Sequence, residues 1–208
     1  EAQKQPAVEP QATIVRAFVE LGIEMSIATA NYWKKYTKFL EDWQFTLTWK
    51  DQKRKFFSSE GLRLDSNNMR LNWTHAWAGA IYYNWGRSNR LGSFTSFLFS
   101  AGGSLLWEYV AEWREVISIN DNIMTSLGGY TAGEPWFQLG KYFIGRKGIV
   151  NQVLSFIHPV LKFNHWLDRE NDKSGPVAAE AGWHDFQFMV GQKRMPTTDP
   201  NSRNTLFL

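Results

Sequence analysis

The chain of 208 residues contains no cysteine. Disulfides, thiolate metal sites and thiol catalysis are therefore excluded. It has no charge-free apolar run of about 18 residues, so no ordinary transmembrane helix is expected. Excess charge is also scarce: 23 Lys and Arg stand against 20 Asp and Glu, a net +3. The basic residues are scattered rather than gathered in a stripe, which argues against a nucleic-acid binder. Their one run, at 50–55 (KDQKRK), reads as a solvated face, or beside a membrane as a contact for lipid phosphate. Nucleotide and hydrolase motifs are missing as well. Gly145-Arg-Lys-Gly148 lacks the ending of a phosphate-binding loop, Gly128-Gly129 opens no dinucleotide pattern, and there is neither a G-x-S-x-G elbow nor an H-E-x-x-H pair. No cofactor is expected. Aromatic residues, by contrast, are abundant: they make up 16% of the chain, with 11 Trp. Such a content suits a wet–dry boundary such as a membrane belt, or a Trp-rich core.

Residues 1–11 are polar and Pro-containing and read as a flexible leader, of the kind a processed exported chain carries. From Thr13, a candidate cap, Ile14, Phe18, Leu21 and Met25 recur at helical steps, predicting a helix to about Tyr36. Trp43, Phe45, Leu47 and Trp49 then alternate with polar residues, the period of a short half-buried strand; a helix is the second reading. Leu62 and Leu64 form an extended piece before a polar turn at 65–68. Three central helices follow. The first, 73–83, carries His75, Gly79 and a thin alanine surface. The second and longest, 93–116, has Ser93 as cap and a smooth patch at 101–104, whose adjacent glycines call for close packing. The third starts at the capping pattern Ser118-Ile-Asn-Asp121 and has a small face from Gly129 to Gly133, and Pro135 ends or kinks it. Residues 136–143 are amphipathic and aromatic. Residues 149–167 form another amphipathic stretch, kinked or divided by Pro159. A linker at 168–180 precedes a possible strand around Trp183–Val190 and the start of another at 205–208, as though a β-structure continued. The expected fold is mainly α: a bundle of short, small-residue-rich helices over 12–167, with a β element near 42–65.

Among these thin segments stand His75, Arg87, Asn89, Glu108, Glu112, Asn120, Asp121, Asn122 and Glu134. Carboxylates buried there must be paired or protonated. Glu108 and Glu112 share a helix face and repel, so a cation, a proton or water must relieve them. Arg87, with five donors, is expected against Glu108 or Glu112, and His75 against another acid. The cluster reads first as a hydrogen-bonded network fixing helix register. Metal binding through His75, Glu108, Glu112 and Asp121 lacks the usual ligand spacing, so no metal is expected. Acid–base chemistry has its carboxylate pair but no nucleophile. His158, His165 and His184 read as surface or packing histidines.

The strings N-W-x-H-x-x-x-G-x-x-Y-Y-N, R-S-N, L-W-E-Y-x-x-E-W-R-E and S-I-N-D-N-x-x-T-x-x-G-G-x-x-x-G-E, over about 42–143, resemble a family of exported proteins of Gram-negative envelopes. The family has no established activity, and its longer members continue into an outer-membrane β-barrel. A looser order is similar to VanZ-like and YfiM-like membrane-associated helical proteins: His75 on one helix, Glu108 and Glu112 on the next, then Asp121, Gly129 and Gly133. The resemblance implies a periplasmic or outer-membrane location, with membrane lipid or an outer-membrane protein as partner. The expected function is a non-enzymatic envelope module, structural or lipid-contacting. The alternatives are an enzyme acting on an envelope amphiphile through Glu108, Glu112 and His75, and an accessory subunit of a larger complex.

Overall fold

Small residues decide how the helices meet. The structure, a computed structural model, describes residues 12–36, 43–64, 73–144 and 146–171. Its helices are α1 (Ile14–Lys35), α2 (Trp49–Phe57), α3 (Trp73–Ser88), α4 (Ser93–Leu106), α5 (Ile119–Ile144), α6 (Ile149–Leu154) and α7 (Pro159–Asn171). Two short strands, β1 (Leu62–Arg63) and β2 (Ile117–Ser118), pair in parallel, with Leu62 opposite Ile117. The fold is mainly α.

At the centre α3, α4 and α5 pack on one another. Gly79 of α3 lies against the Thr125 carbonyl of α5, and Gly129 lies against Gly79 and Ser100. A Cβ at either glycine would overlap main-chain atoms, so only glycine allows the approach. Farther along, Gly133 lies on the Tyr83 ring and Gly86 on Ser96. The Ser100 hydroxyl donates within this crossing, to the carbonyls of Gly79 at 3.0 Å and Thr125 at 2.9 Å. Matching contacts along the helices set α3 and α5 side by side in one direction, with α4 antiparallel to both.

Several expectations are corrected. The strand expected at 43–49 is a single bridge, Trp43 to Glu115, after which Phe45 is buried. The Thr48 side chain accepts from Asp51 N–H and starts α2 at Trp49, leaving Leu47 and Trp49 exposed. Thr13 stands at the N-cap of α1 as expected, but its hydroxyl makes no capping bond and donates instead to Asn89 Oδ1 at 2.9 Å. Gly92, not Ser93, stands at the N-cap of α4. That helix stops at Leu106 in a π-helical turn, Trp107–Ala111, so α5 is longer. Pro135 does not end α5, which continues through it to Ile144; Gly133 and Phe137, buried on either side, hold that turn in place. Pro159 does divide the last stretch, starting α7, which runs into the expected linker as far as Asn171. The leader, the turn at 65–68 and the possible strands at 183–190 and 205–208 lie outside the described residues.

Helices α1, α4 and α5 do not bury all of their apolar faces. On α1 only Ala17 and Leu21 are buried, while Ile14, Phe18, Val19, Ile23 and Ile27 are exposed. The polar stripe Arg16, Glu20 and Glu24 turns inward instead. Phe94, Leu98, Leu105 and Leu106 of α4 and Ile123, Leu127 and Tyr130 of α5 also face outward. Among the described residues, buried polar side chains are as numerous as buried apolar ones. No helix among the described residues is long and apolar enough to cross a membrane.

Candidate functional site

The interior polar groups form three connected sets along α3. The first lies at the end where α2, the π turn and the strand pair meet. Lys55, from the expected solvated run, is almost wholly buried, which corrects that reading. Its ammonium donates to the main-chain carbonyls of Glu108 at 2.8 Å and Glu112 at 2.7 Å. The Glu108 carboxylate accepts from the Ser118 N–H at 2.9 Å, and Glu112 accepts from the Trp107 indole at 2.7 Å. Burial pushes Glu108 up to about 7, with Asp121 and Glu115 adding to the rise and the Ser118 N–H and Lys55 opposing it. Burial, then Glu115 and Glu108, likewise raise Glu112 well above the usual carboxylate range. Burial lowers Lys55 to about 8, against the pull of Glu112, Glu108 and Glu115. Tyr32 donates its hydroxyl to Glu115. Arg114 sits over the rings of Trp113 and Trp43, 4.5 and 4.6 Å from their centroids.

Asp121 lies beside this set at the start of α5. It is buried, its N–H donates to Ser118 Oγ at 3.1 Å, and His75 Nε2 lies 3.5 Å from its carboxylate. His75 thus faces an acid, as expected. Asn122 accepts from the Ser104 hydroxyl at 3.1 Å, and the Asn120 N–H donates to the Leu64 carbonyl at 2.9 Å.

The second set centres on Glu134. Arg87 grips it with two bonds, 2.8 and 3.1 Å, so the expected pairing of Arg87 with Glu108 or Glu112 is corrected. Those acids lie at the other end of α4, whereas Arg87 and Glu134 face each other where α3 and α5 run together. Tyr83 also donates to Glu134, and Gln138 donates at 2.6 Å. Burial alone would raise Glu134, but these donors outweigh it and hold the carboxyl below its usual range. The Arg87 guanidinium covers the Phe137 ring at 4.4 Å. Deeper in, His158 is fully buried and lies 2.8 Å from Asn84 Oδ1, while its Nδ1 accepts from the Leu161 N–H at 3.1 Å. That bond places the ring proton on Nε2. Burial lowers His158 to about 4, so it is neutral and structural.

The third set joins α1, α3 and α7. Asn89 accepts from Thr13 and Arg16 and donates to Glu20 and to the Trp85 carbonyl. Asp168 takes Arg16 and Arg90, each at 2.7 Å. Glu24 lies farther along the same face of α1, and burial raises it to about 7.

The expected residues therefore divide among all three sets instead of converging. Reading the sequence also missed Lys55, Asn84, Ser100, Glu20 and His158 as members. Asn84 and Ser100 carried a signal, being polar positions inside otherwise small or apolar helical faces. Lys55 carried none, because a lysine in a basic run normally stays in water. Among the described residues no group of three or more His, Asp or Glu side chains could hold a metal ion.

These features define a class: a helical domain with a hydrogen-bonded ionic interior and exposed apolar faces on α1, α4 and α5. Within it, residues 61–160 carry a domain of unknown function, DUF3943. That match takes in α3 to α6 and all the expected site residues, but leaves α1 and α2 outside. No curated protein and no solved structure matches the chain.

Proposed function

We propose that this protein is a non-enzymatic, lipid-contacting module of a bacterial envelope, associated with the outer membrane and held in shape by its interior ionic network. The observation that carries the reading is the inverted distribution of side chains. Over residues 17–33, 73–86, 91–107 and 117–133 no Asp, Glu, Lys, Arg or His side chain is exposed, whereas Phe18, Ile23, Ile27, Leu98, Leu105, Ile123 and Leu127 are. In water such surface would be costly, and exposed apolar area on this scale marks an interaction site. It lies on α1, α4 and α5, whose outer faces point in different directions around the α3 centre. A two-fold partner covers one patch, but hydrocarbon can cover them all. Two of the exposed hydroxyls fit the same solvent. Ser26 donates to the Gly22 carbonyl at 2.7 Å and Thr131 to that of Gly128 at 3.1 Å, so each is satisfied within its own helix.

The envelope location rests on the sequence resemblance and is part of the same proposal. A catalytic use of Glu108, Glu112 and His75 has less support, since Glu108 is 3% exposed and bonded to Ser118 and His75 turns to Asp121. The test is flotation of the purified full chain with neutral phosphatidylcholine vesicles. Co-flotation that persists in high salt is expected. A chain that is monodisperse without detergent and stays at the bottom of the gradient would overturn the reading.

A further inference from the structure

One end of the molecule gathers five exposed cations, whereas elsewhere among the described residues the only exposed cations are Arg146 and Lys147, beyond α5. Lys34 and Lys35 at the end of α1, Lys50 and Lys53 on α2 and Arg63 on β1 are all exposed. The described acids nearby are already engaged. Glu60 pairs with Arg54 at 2.9 Å, and Asp51 accepts from the Thr46 N–H and hydroxyl and lies 3.4 Å from Arg54. Aromatic side chains are interleaved with these lysines. Trp49 is 80% and Phe57 81% exposed. Helical spacing puts Trp49, Lys50, Lys53, Phe56 and Phe57 on one side of α2, while Lys55 points the other way into the protein.

A face that mixes rings and lysines is suited to the boundary between hydrocarbon and headgroups. The rings sit at the apolar edge and the ammonium groups extend to phosphate level. The rest of the molecule puts that boundary here. On α1, Ile23, Ile27 and Lys34 lie on one side of the helix, so its outer surface passes from apolar to cationic within about 10 Å. The Trp33, Trp43 and Trp113 rings gather at the same end.

We infer that α2 and the end of α1 form a headgroup-binding edge that takes the phosphates of anionic phospholipids. The inference rests on the lipid-contacting reading above and adds the chemistry and place of the contact. It is tested with the full chain, floated with phosphatidylcholine vesicles and with vesicles containing about a third phosphatidylglycerol. Both are compared for the native chain and for Lys50→Gln/Lys53→Gln, whose exposed positions should leave the thermal midpoint unchanged. The native chain should bind the anionic vesicles more tightly, and the double substitution should cut that gain about tenfold while leaving binding to neutral vesicles alone. An equal gain in both chains, or no gain in the native one, would overturn the inference. Loss of the gain in millimolar inorganic phosphate at constant ionic strength would assign the site to free phosphate and also overturn it. Failure to bind neutral vesicles strikes the lipid-contacting reading instead, because the anionic gain is measured separately.

Discussion

Lys55 gives its ammonium to the main-chain carbonyl of Glu108, 2.8 Å away, while the Glu108 carboxylate turns to the Ser118 N–H. The π turn makes this possible. In an α-helix the Glu108 carbonyl would accept the Glu112 N–H. Here that N–H goes to Trp107 at 2.9 Å, and the Glu108 oxygen is left for the lysine. The turn and the lysine therefore depend on each other. Lys55→Met should leave the Glu108 carbonyl without its donor, the Glu112 carbonyl with the Glu115 N–H alone, and two buried carboxyls without the Lys55 cation, at a cost of about 3 kcal/mol. Lys53→Met, in the same run but exposed, should stay within about 0.5 kcal/mol of the native chain. Chemical unfolding in mild detergent compares them, and equal losses would contradict the role given to Lys55.

The same region sets an unusual dependence on pH. Glu24 and Glu108 rise from 4.5 to about 7, and Glu112 rises well above 4.5. Between those values the folded chain holds protons that the unfolded chain has lost, so stability falls as pH rises from 4.5 toward 7. His158, lowered from 6.5 to about 4, works the other way in part of that window, but it is one group against three. Lys55, lowered from 10.5 to about 8, is neutral in the folded chain where the unfolded chain is still charged, so stability recovers between 8 and 10.5. Thermal midpoints at fixed ionic strength should be lower near about pH 7.5 than near about pH 5.5 or 9.5. Glu108→Gln should flatten the acid side of the curve. A maximum near neutrality would contradict this assignment of buried charge.

The helices were legible because caps and small residues act locally. Ser118 accepts from Asp121 N–H as its spacing implies, and the glycines at 79 and 129 mark where backbones meet. His75 beside an acid was legible for the same reason, since a polar group on a thin helix face must find a partner. Long-range pairing was not. Nothing in the spacing tells Arg87 to take Glu134 rather than Glu108; that follows from α3 and α5 running in one direction. Which side of α1 turns inward is not legible either, because an apolar stripe normally faces the protein. Here Arg16, Glu20 and Glu24 face it, and hydrophobic periodicity records only that a face is apolar, not which solvent it meets.

Glycine substitutions separate close packing from conformational freedom. Gly79→Ala would drive a methyl group into the Thr125 carbonyl, where main chain must move, and should cost upwards of about 3 kcal/mol. Gly22 and Gly102 are also in helices, but a methyl there meets nothing within 4 Å. Gly22→Ala and Gly102→Ala should be neutral or stabilising, by up to about 1 kcal/mol. Thermal unfolding of the three variants checks the contrast. A tolerated Gly79→Ala would mean that α3 and α5 do not approach as described.

The pairing of Arg87 with Glu134 is open to a double-mutant cycle. Both side chains are mostly buried, at 18% and 24% exposure, and two bonds join them. Arg87→Leu leaves Glu134 with its Tyr83 and Gln138 donors but no cation, and should cost about 2–3 kcal/mol. Glu134→Leu leaves the guanidinium bonded to the Leu91 carbonyl and stacked on Phe137, and should cost a similar amount. Because the two residues act on each other, the double variant should lose less than the sum, with a coupling of about 1–2 kcal/mol. The same cycle between Arg87 and Glu108 should give a coupling near zero. A larger coupling to Glu108 than to Glu134 would restore the pairing expected from sequence and rule out the helix arrangement described here.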